Sequence, residues 1–284
     1  MPPAILFIVF NRPGPTAQVF SAIRNARPEK LYIAADGPRR HCREDIDACH
    51  EVREIVSRVD WPCDVRTVFH SENLGCVRSV TEAVTWFFEN EGEGIILEDD
   101  CLPHPDFFGY CGQLLERYRF DEKVMVISGD NSIAATIPFP YSYAFTRFAL
   151  IWGWASWARA WKHYDFSALQ SDARNAIIQN ICENKRNFRI ISQAVEKISL
   201  SKIDTWDYVW NYNIWAQQGL CVIPKENLVS NIGFGENATH TFDVTDGRAN
   251  RPTCGVKFPL VHPDMDANAR IDHEILEKIF VSRR

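Results

Sequence analysis

Short, wholly apolar runs alternate with stretches of helical periodicity through the first half of the chain. This is the pattern of a mostly parallel central sheet with helices on both faces. The run from Ala4 to Phe10 predicts a buried strand, followed by a helix opening near Pro15 and Thr16 in which Val19, Ala22, Ile23 and Ala26 recur at helical spacing. Further strands are expected over Leu31 to Ala35, ending in Asp36-Gly37-Pro38, and over Val65 to Phe69. After Asn73-Leu74-Gly75 a helix should bury Val80, Ala83, Val84, Phe87 and Phe88, and Gly94 to Leu97 then reads as a fourth strand delivering Glu98, Asp99 and Asp100 at its carboxyl end.

The second half is less regular. Val124 to Ser128 predicts a strand, Trp152-Gly153-Trp154-Ala155-Ser156-Trp157 stands out as an aromatic stretch, and two polar helical segments fall between about Ser171 and Leu200. No Ser/Gly/Pro-rich linker or internal repeat interrupts the chain. One α/β domain over 1–284 is therefore expected, with a nucleotide-binding half (1–130) and an acceptor and catalytic half (131–284).

Composition narrows the partners. A formal net charge of −6 gives no general attraction to polyanions, so nucleic acid is not expected and any phosphate must be held by a local site or a metal. Nine cysteines without CxxC pairs suit a reducing compartment, and no apolar run is long enough to span a bilayer. The expectation is a cytoplasmic protein with at most peripheral membrane association, in which the sequon Asn237-Ala238-Thr239 is fortuitous.

The chemistry centres on the three acids. Like charges held together after a buried strand need a cation, a ribose hydroxyl or solvent to satisfy them; the bland alternative is a solvated acidic turn. Mg²⁺ or Mn²⁺ is typically bound by one or two carboxylates plus substrate phosphates, so a nucleotide diphosphate would complete the shell. In an open α/β sheet ligands collect beyond the carboxyl ends of the strands, where Asn11, Arg12, Asp36, Gly37, Asn73 and the acids should converge. Arg12 could pair with diphosphate or base. Asp36 reads equally as an ordinary Asp-Gly turn, and Asn73, which with Arg78 could line the same edge, equally as a helix start.

Gly94 to Phe108, reading GIILEDDCLPHPDFF, resembles the metal-site segment (the DXD motif) of inverting N-acetylglucosaminyltransferases with the GT-A fold. The likeness continues in order through Phe10-Asn11-Arg12-Pro13, Ala35-Asp36-Gly37, Arg147-Phe148 to Trp154, Thr205-Trp206-Asp207 and Cys221 to Pro224. Lacking an anchor and stem, the chain resembles more closely the bacterial stand-alone glycosyltransferases that decorate surface polysaccharides. The resemblance implies a metal-dependent inverting transferase that moves a sugar from a nucleoside diphosphate, UDP first, to a saccharide or glycolipid acceptor. It also implies that Asp36 contacts uracil, Asp99 ribose and Asp100 the metal, with Glu98 in support. Asp207 would then be the catalytic base.

From the residues alone, Asp207 lies among Trp206, Tyr208 and Trp210, which can partly desolvate a carboxylate; Asp204 is the rival, and a helix cap at Asp204 or Thr205 is the plain alternative. Trp152, Trp154 and Trp157 could offer flat faces to a sugar, with Gly153 letting backbone approach the donor, or could pack in the core, as is expected of Trp157; Trp206 is expected in the same donor and acceptor pocket. The glycine-containing stretch from Gly233 to His240 is placed like a donor-covering loop, from which His240 could reach metal or diphosphate. Two other functions remain open at this point: a sugar-nucleotide pyrophosphorylase, although the first strand lacks a glycine-rich turn for a triphosphate, and a non-catalytic saccharide-binding module.

Overall fold

The apolar runs pack side by side as the core strands of a mixed eight-stranded sheet. A computed structural model describes residues 2–131, 133, 137, 140–234 and 249–281. The strands of its first half are β1 (Ile5–Val9), β2 (Lys30–Ala35), β3 (Asp64–Phe69) and β4 (Glu93–Glu98), each close to its expected position. They are joined by α1 (Pro13–Ala26), α2 (Arg43–Val56) and α3 (Cys76–Asn90). Every residue of β1 is buried, as a strand covered on both faces requires, whereas β3 at the sheet edge is largely exposed.

A short strand β5 (Cys101–Pro103) and helix α4 (Asp106–Arg117) lead to β6 (Val124–Ser128), β7 (Tyr143–Thr146) and β8 (Trp154–Trp157). Helices α5 (Ala158–Trp161), α6 (Arg174–Ile181), α7 (Lys185–Ser199) and α8 (Asp207–Ala216) follow, then β9 (Leu220–Pro224), β10 (Val229–Asn231) and α9 (Ala269–Ile275). The main sheet runs β3-β2-β1-β4-β8-β6-β9-β7, and β10 pairs separately with β5. The pairings of β1 with β2 and β4, of β2 with β3 and of β6 with β9 are parallel, while β8 and β7 enter antiparallel. The α/β class and the central sheet expected from the sequence are present.

Strand β8 changes the reading of the aromatic stretch. Alternation along a strand sends Trp154 to one face of the sheet and Trp157 to the other, and each lies in the apolar core there. Trp154 is fully buried, and Trp206, 4% exposed, stacks on it with ring centroids 5.8 Å apart. Both are core side chains, so neither presents a face to a sugar.

Helices α1, α2 and α4 cover one face of the sheet and α3, α5 and α8 the other. A further apolar cluster under α6, α7 and α9 joins the second half to the same body. The nine cysteines are free, and among the described residues no helix is long and apolar enough to cross a membrane.

Candidate active site

The strand order places a topological switch between β1 and β4: from β1 the chain moves outward to β2 and β3, then returns to the opposite side of β1 as β4. Helix α1 therefore packs on one face and α3 on the other, and the carboxyl ends of β1 and β4 are where such a strand order sets a ligand crevice. Register aligns Val9 with Ala35 and Ile8 with Glu98. With neighbouring strands about 4.8 Å apart, the residues that follow these rungs start their loops side by side. They are Phe10-Asn11-Arg12, Asp36-Gly37 and Asp99-Asp100.

Arg12 closes the gap between the first and last of these. Its guanidinium reaches Asp99 through one nitrogen and lies 3.0 Å from Asp100 Oδ2 through another. The backbone N–H of Phe10 donates to Asp99 Oδ2 at 3.3 Å. Burial works against the Arg12 charge, yet the fields of Asp99 and Asp100 outweigh it and hold the guanidinium protonated. For the acids the balance reverses. Burial, then repulsion from Asp100 and Asp99, raises Glu98, and burial raises Asp99 despite Arg12. One guanidinium undercompensates three consecutive carboxyls.

Asp36 has a different set of partners. The backbone N–H groups of Gly37 and Leu74 donate to its Oδ1 at 2.8 and 2.9 Å, and Asn73 Nδ2 donates to Oδ2 at 2.8 Å and to the Gly37 carbonyl at 3.1 Å. Asn73 is thus no helix cap; Gly75, at φ +80°, precedes α3 instead. The carboxylate clasps the loop before α3 onto the end of β2. A Cβ on Gly37 would lie 2.5 Å from the Glu72 nitrogen, so the two chains cross only because residue 37 is glycine. Desolvation raises the pKa of Asp36, with the Leu74 and Gly37 N–H groups working the other way.

The second half supplies one more carboxylate. Asp207 opens α8; the Thr205 hydroxyl and, at 2.9 Å, the Tyr208 N–H both donate to its Oδ1. Among the described residues nothing hydrogen-bonds Oδ2. Asp204, the rival, is exposed. Cys76 at the start of α3 ties the halves together: burial first, then the charges of Glu98, Asp204, Asp207 and Asp36, push its thiol up. The N-terminus of α3 therefore faces the carboxylates of both halves, with a dipole that favours negative charge.

Two features escaped the sequence. Asp45, buried in the first turn of α2, accepts from Asn11 Nδ2 at 2.7 Å and from the Arg39 fork at 2.6 and 2.9 Å; it fixes the Asn11 turn, so Asn11 bonds to it and not to the acids. The Arg39 hydrogen bonds hold this carboxyl well below its usual range. An acid in a first helical turn is too ordinary a signal to have revealed it. Gly233 follows β10, whose Asn231 pairs with Cys101, and the Ile232 N–H donates to the Asp100 carbonyl at 2.8 Å. A Cβ at residue 233 would overlap the Asp100 carboxylate and lie 2.6 Å from Arg12 Nη1. Its glycine was legible; its seat on the Arg12–Asp100 pair was not.

The remaining expectations divide. Trp152 stays half-buried near this edge with Phe234 against it, ring centroids 5.8 Å apart and nearly perpendicular. Gly153 takes φ +65°, but the space at its Cβ holds Val229 and Leu97, so the glycine serves packing and opens no backbone to a ligand. Arg78 is exposed and pairs at 2.6 Å with Glu82 on α3. His240, with Gly235, Asn237 and Thr239, lies outside the described residues.

Among the described residues no three His, Cys, Asp or Glu side chains form a metal-binding group. The carboxylate oxygens of Asp99 and Asp100 are of the donor type that suits a hard divalent ion, which takes one or two carboxylates and completes its shell from phosphate oxygens.

No protein-family model matches the chain, and no curated protein does. Among solved structures it is similar to HddC from Yersinia pseudotuberculosis, at 7% identity and TM-score 0.33 over 55% of this chain and 77% of that one. It is also similar to a UDP-glucose pyrophosphorylase complexed with UDP-glucose, at 8% identity and TM-score 0.38 over 77% and 89% of the two chains. A third similar structure is mouse xyloside xylosyltransferase 1 in its apo form, at 9% identity and TM-score 0.37 over 76% and 82%. At these levels the overlaps fix neither activity nor substrate.

Proposed function

We propose that the chain is a GT-A glycosyltransferase that moves a sugar from a nucleoside diphosphate, UDP first, to a saccharide or glycolipid hydroxyl with inversion at the anomeric carbon. The observation that carries this reading is the meeting of Arg12 with Asp99 and Asp100 at the switch point between β1 and β4. A crevice there, lined by undercompensated acids and one guanidinium, suits a ligand that brings both phosphate and cation. On this reading the chain divides into a nucleotide half that contributes Asp36 and Asp99 and an acceptor half that contributes Asp207.

In this reading Asp36 and its clasped loop flank the base and Asp99 faces the ribose; Asp100 would hold Mn²⁺ or Mg²⁺, which would supply positive charge to offset that of the diphosphate. Arg12 turns from the carboxylates toward phosphate oxygens. Asp207 Oδ2 accepts the proton of the acceptor hydroxyl as its oxygen bonds to the anomeric carbon. The bond from that carbon to the diphosphate breaks on the opposite face, and its electron pair leaves with the nucleoside diphosphate. Trp152, at the edge of the crevice, offers a partly open ring to one of the sugars.

A thermal-shift screen of nucleotide sugars with Mn²⁺ tests the donor class before any acceptor is known, because a ligand of the native state raises the unfolding temperature by mass action. UDP-sugars should raise it in a metal-dependent way. A flat response to every nucleotide sugar would contradict the reading.

A further inference from the structure

The outer face of α7 differs from the rest of the surface. Asn184 caps the helix by accepting from the Asn187 N–H at 2.9 Å, and Ile191, Val195 and Ile198 bury its inner face. At 100° per residue, Lys185, Arg186, Arg189 and Lys197 fall within one outward stripe, all exposed, with Gln193 and the single acid Glu196 between them. Just past the helix Lys202 extends the same charge. Over 185–203 five cations face one acid, a net of four positive charges on a chain of −6.

Charge pairing sharpens the contrast. Elsewhere many surface cations are matched, Arg24 with Asp60, Lys30 with Glu91 and Arg119 with Glu93 among them. Arg186 meets Glu277 at 3.2 Å. Lys185, Arg189, Lys197 and Lys202 have no ion pair among the described residues. At the end of this stripe two large apolar side chains stand in solvent, Leu200 at 56% and Ile203 at 41% exposure. Ile203 directly precedes Asp204, whose Oδ2 lies 3.8 Å from the Cβ position of Gly75 at the start of α3, so this end of the stripe lies next to the candidate site.

We infer that the outer face of α7 with the Leu200–Ile203 corner docks on an anionic lipid bilayer. The charge complementarity is direct: a local positive field on an acidic protein is drawn to an acidic leaflet, while the remaining surface is repelled and so sets the orientation. Leu200 and Ile203 add the shallow apolar contact that unpaired lysines lack. Docking this way holds the Asp207 end of the crevice at the membrane surface, within reach of an acceptor carried on a lipid.

The test is co-sedimentation of the full chain with phosphatidylcholine vesicles, with and without phosphatidylglycerol, at low and high salt. The expected result is binding to the anionic vesicles alone, weakened by salt. Lys185→Gln, Arg189→Gln, Lys197→Gln and Lys202→Gln together should lower partitioning by roughly 100-fold or more, each cation near an acidic surface contributing about fivefold. Leu200→Ser with Ile203→Ser should reduce the part of the binding that survives high salt. All six positions are exposed, so an unchanged unfolding temperature and unchanged UDP titration separate this result from a folding defect or a failure of the nucleotide site. Equal binding to neutral vesicles, or anionic binding untouched by the fourfold variant, would overturn the proposal. So would retention on a soluble anionic polysaccharide without vesicle binding, which would give the face to an acidic glycan instead.

Discussion

Replacing Gly233 with alanine adds a single methyl group at the tightest point of the candidate site. The new carbon would stand 2.6 Å from both Arg12 Nη1 and Asp100 Cβ, and closer still to the Asp100 carboxylate. Ordinary carbon contacts begin near 3.5 Å, so one side has to give by about an ångström. Asp100 is 8% exposed and its main chain is pinned through the Ile232 N–H, which leaves Arg12 or the segment after β10 to move. Overpacking of this kind costs about 1–3 kcal/mol, a fall of roughly 2–10 °C in unfolding temperature for a chain of this size. Gly14→Ala is the matched control. Nothing lies within 4 Å of its Cβ, it occupies the first turn of α1, and it should be neutral or stabilising by up to about 1 kcal/mol. Urea unfolding of the two variants beside the parent measures the cost, and titration of UDP with Mn²⁺ measures the effect on the site. A Gly233→Ala protein that matches the parent in both would refute the placement of residue 233 on the Arg12–Asp100 pair.

Three further outcomes follow from the same geometry. Asp207→Asn should retain UDP affinity and lose transfer by at least about 100-fold, because an amide does not accept the acceptor proton; near-normal transfer would move the base to another carboxylate, Asp204 first. Asp36→Asn sets an amide against the Asn73 amide and the Leu74 and Gly37 N–H groups, and should cost about 1–3 kcal/mol in urea while weakening UDP binding; unchanged values would show the loop held by other contacts. Asp45 has a folded pKa below its unfolded one, so its contribution is present above the unfolded value near 4 and is lost as pH falls from there toward the folded value. Asp45→Asn should therefore lower the urea midpoint at neutral pH and flatten its acid dependence; parallel curves for the two proteins would contradict that assignment.

How far the sequence could be read depends on what each element needs to be recognised. Strands β1, β2 and β4 announce themselves because burial on both faces leaves no polar position in Ile5–Val9 or Ile95–Leu97. Strand β8 does not, since Trp154, Ala155, Ser156 and Trp157 look like a cluster of aromatics until their alternation is set between β4 and β6. Whether a tryptophan faces a ligand or a core is a property of its neighbours in space: Trp154 and Trp206 stack in the core, while Trp152 stays half-buried beside Phe234. The acids were legible because three charges after a buried strand are costly without a partner. Arg12 was legible as part of the same edge, but its grip on two of them was not. The roles of Asp45 and Gly233 arise only when segments distant in the chain cross, and no local pattern encodes a crossing.

The central claim is that Asp100 and Arg12 at the β1–β4 crevice form the diphosphate and metal end of a sugar-nucleotide site. It is tested most directly by calorimetric titration of UDP into the protein and into Asp100→Ala, each with and without Mn²⁺. The account predicts that Mn²⁺ strengthens UDP binding to the parent at least about tenfold, and that Asp100→Ala stays folded while losing this enhancement. Metal-stimulated UDP binding that persists undiminished in Asp100→Ala would contradict it.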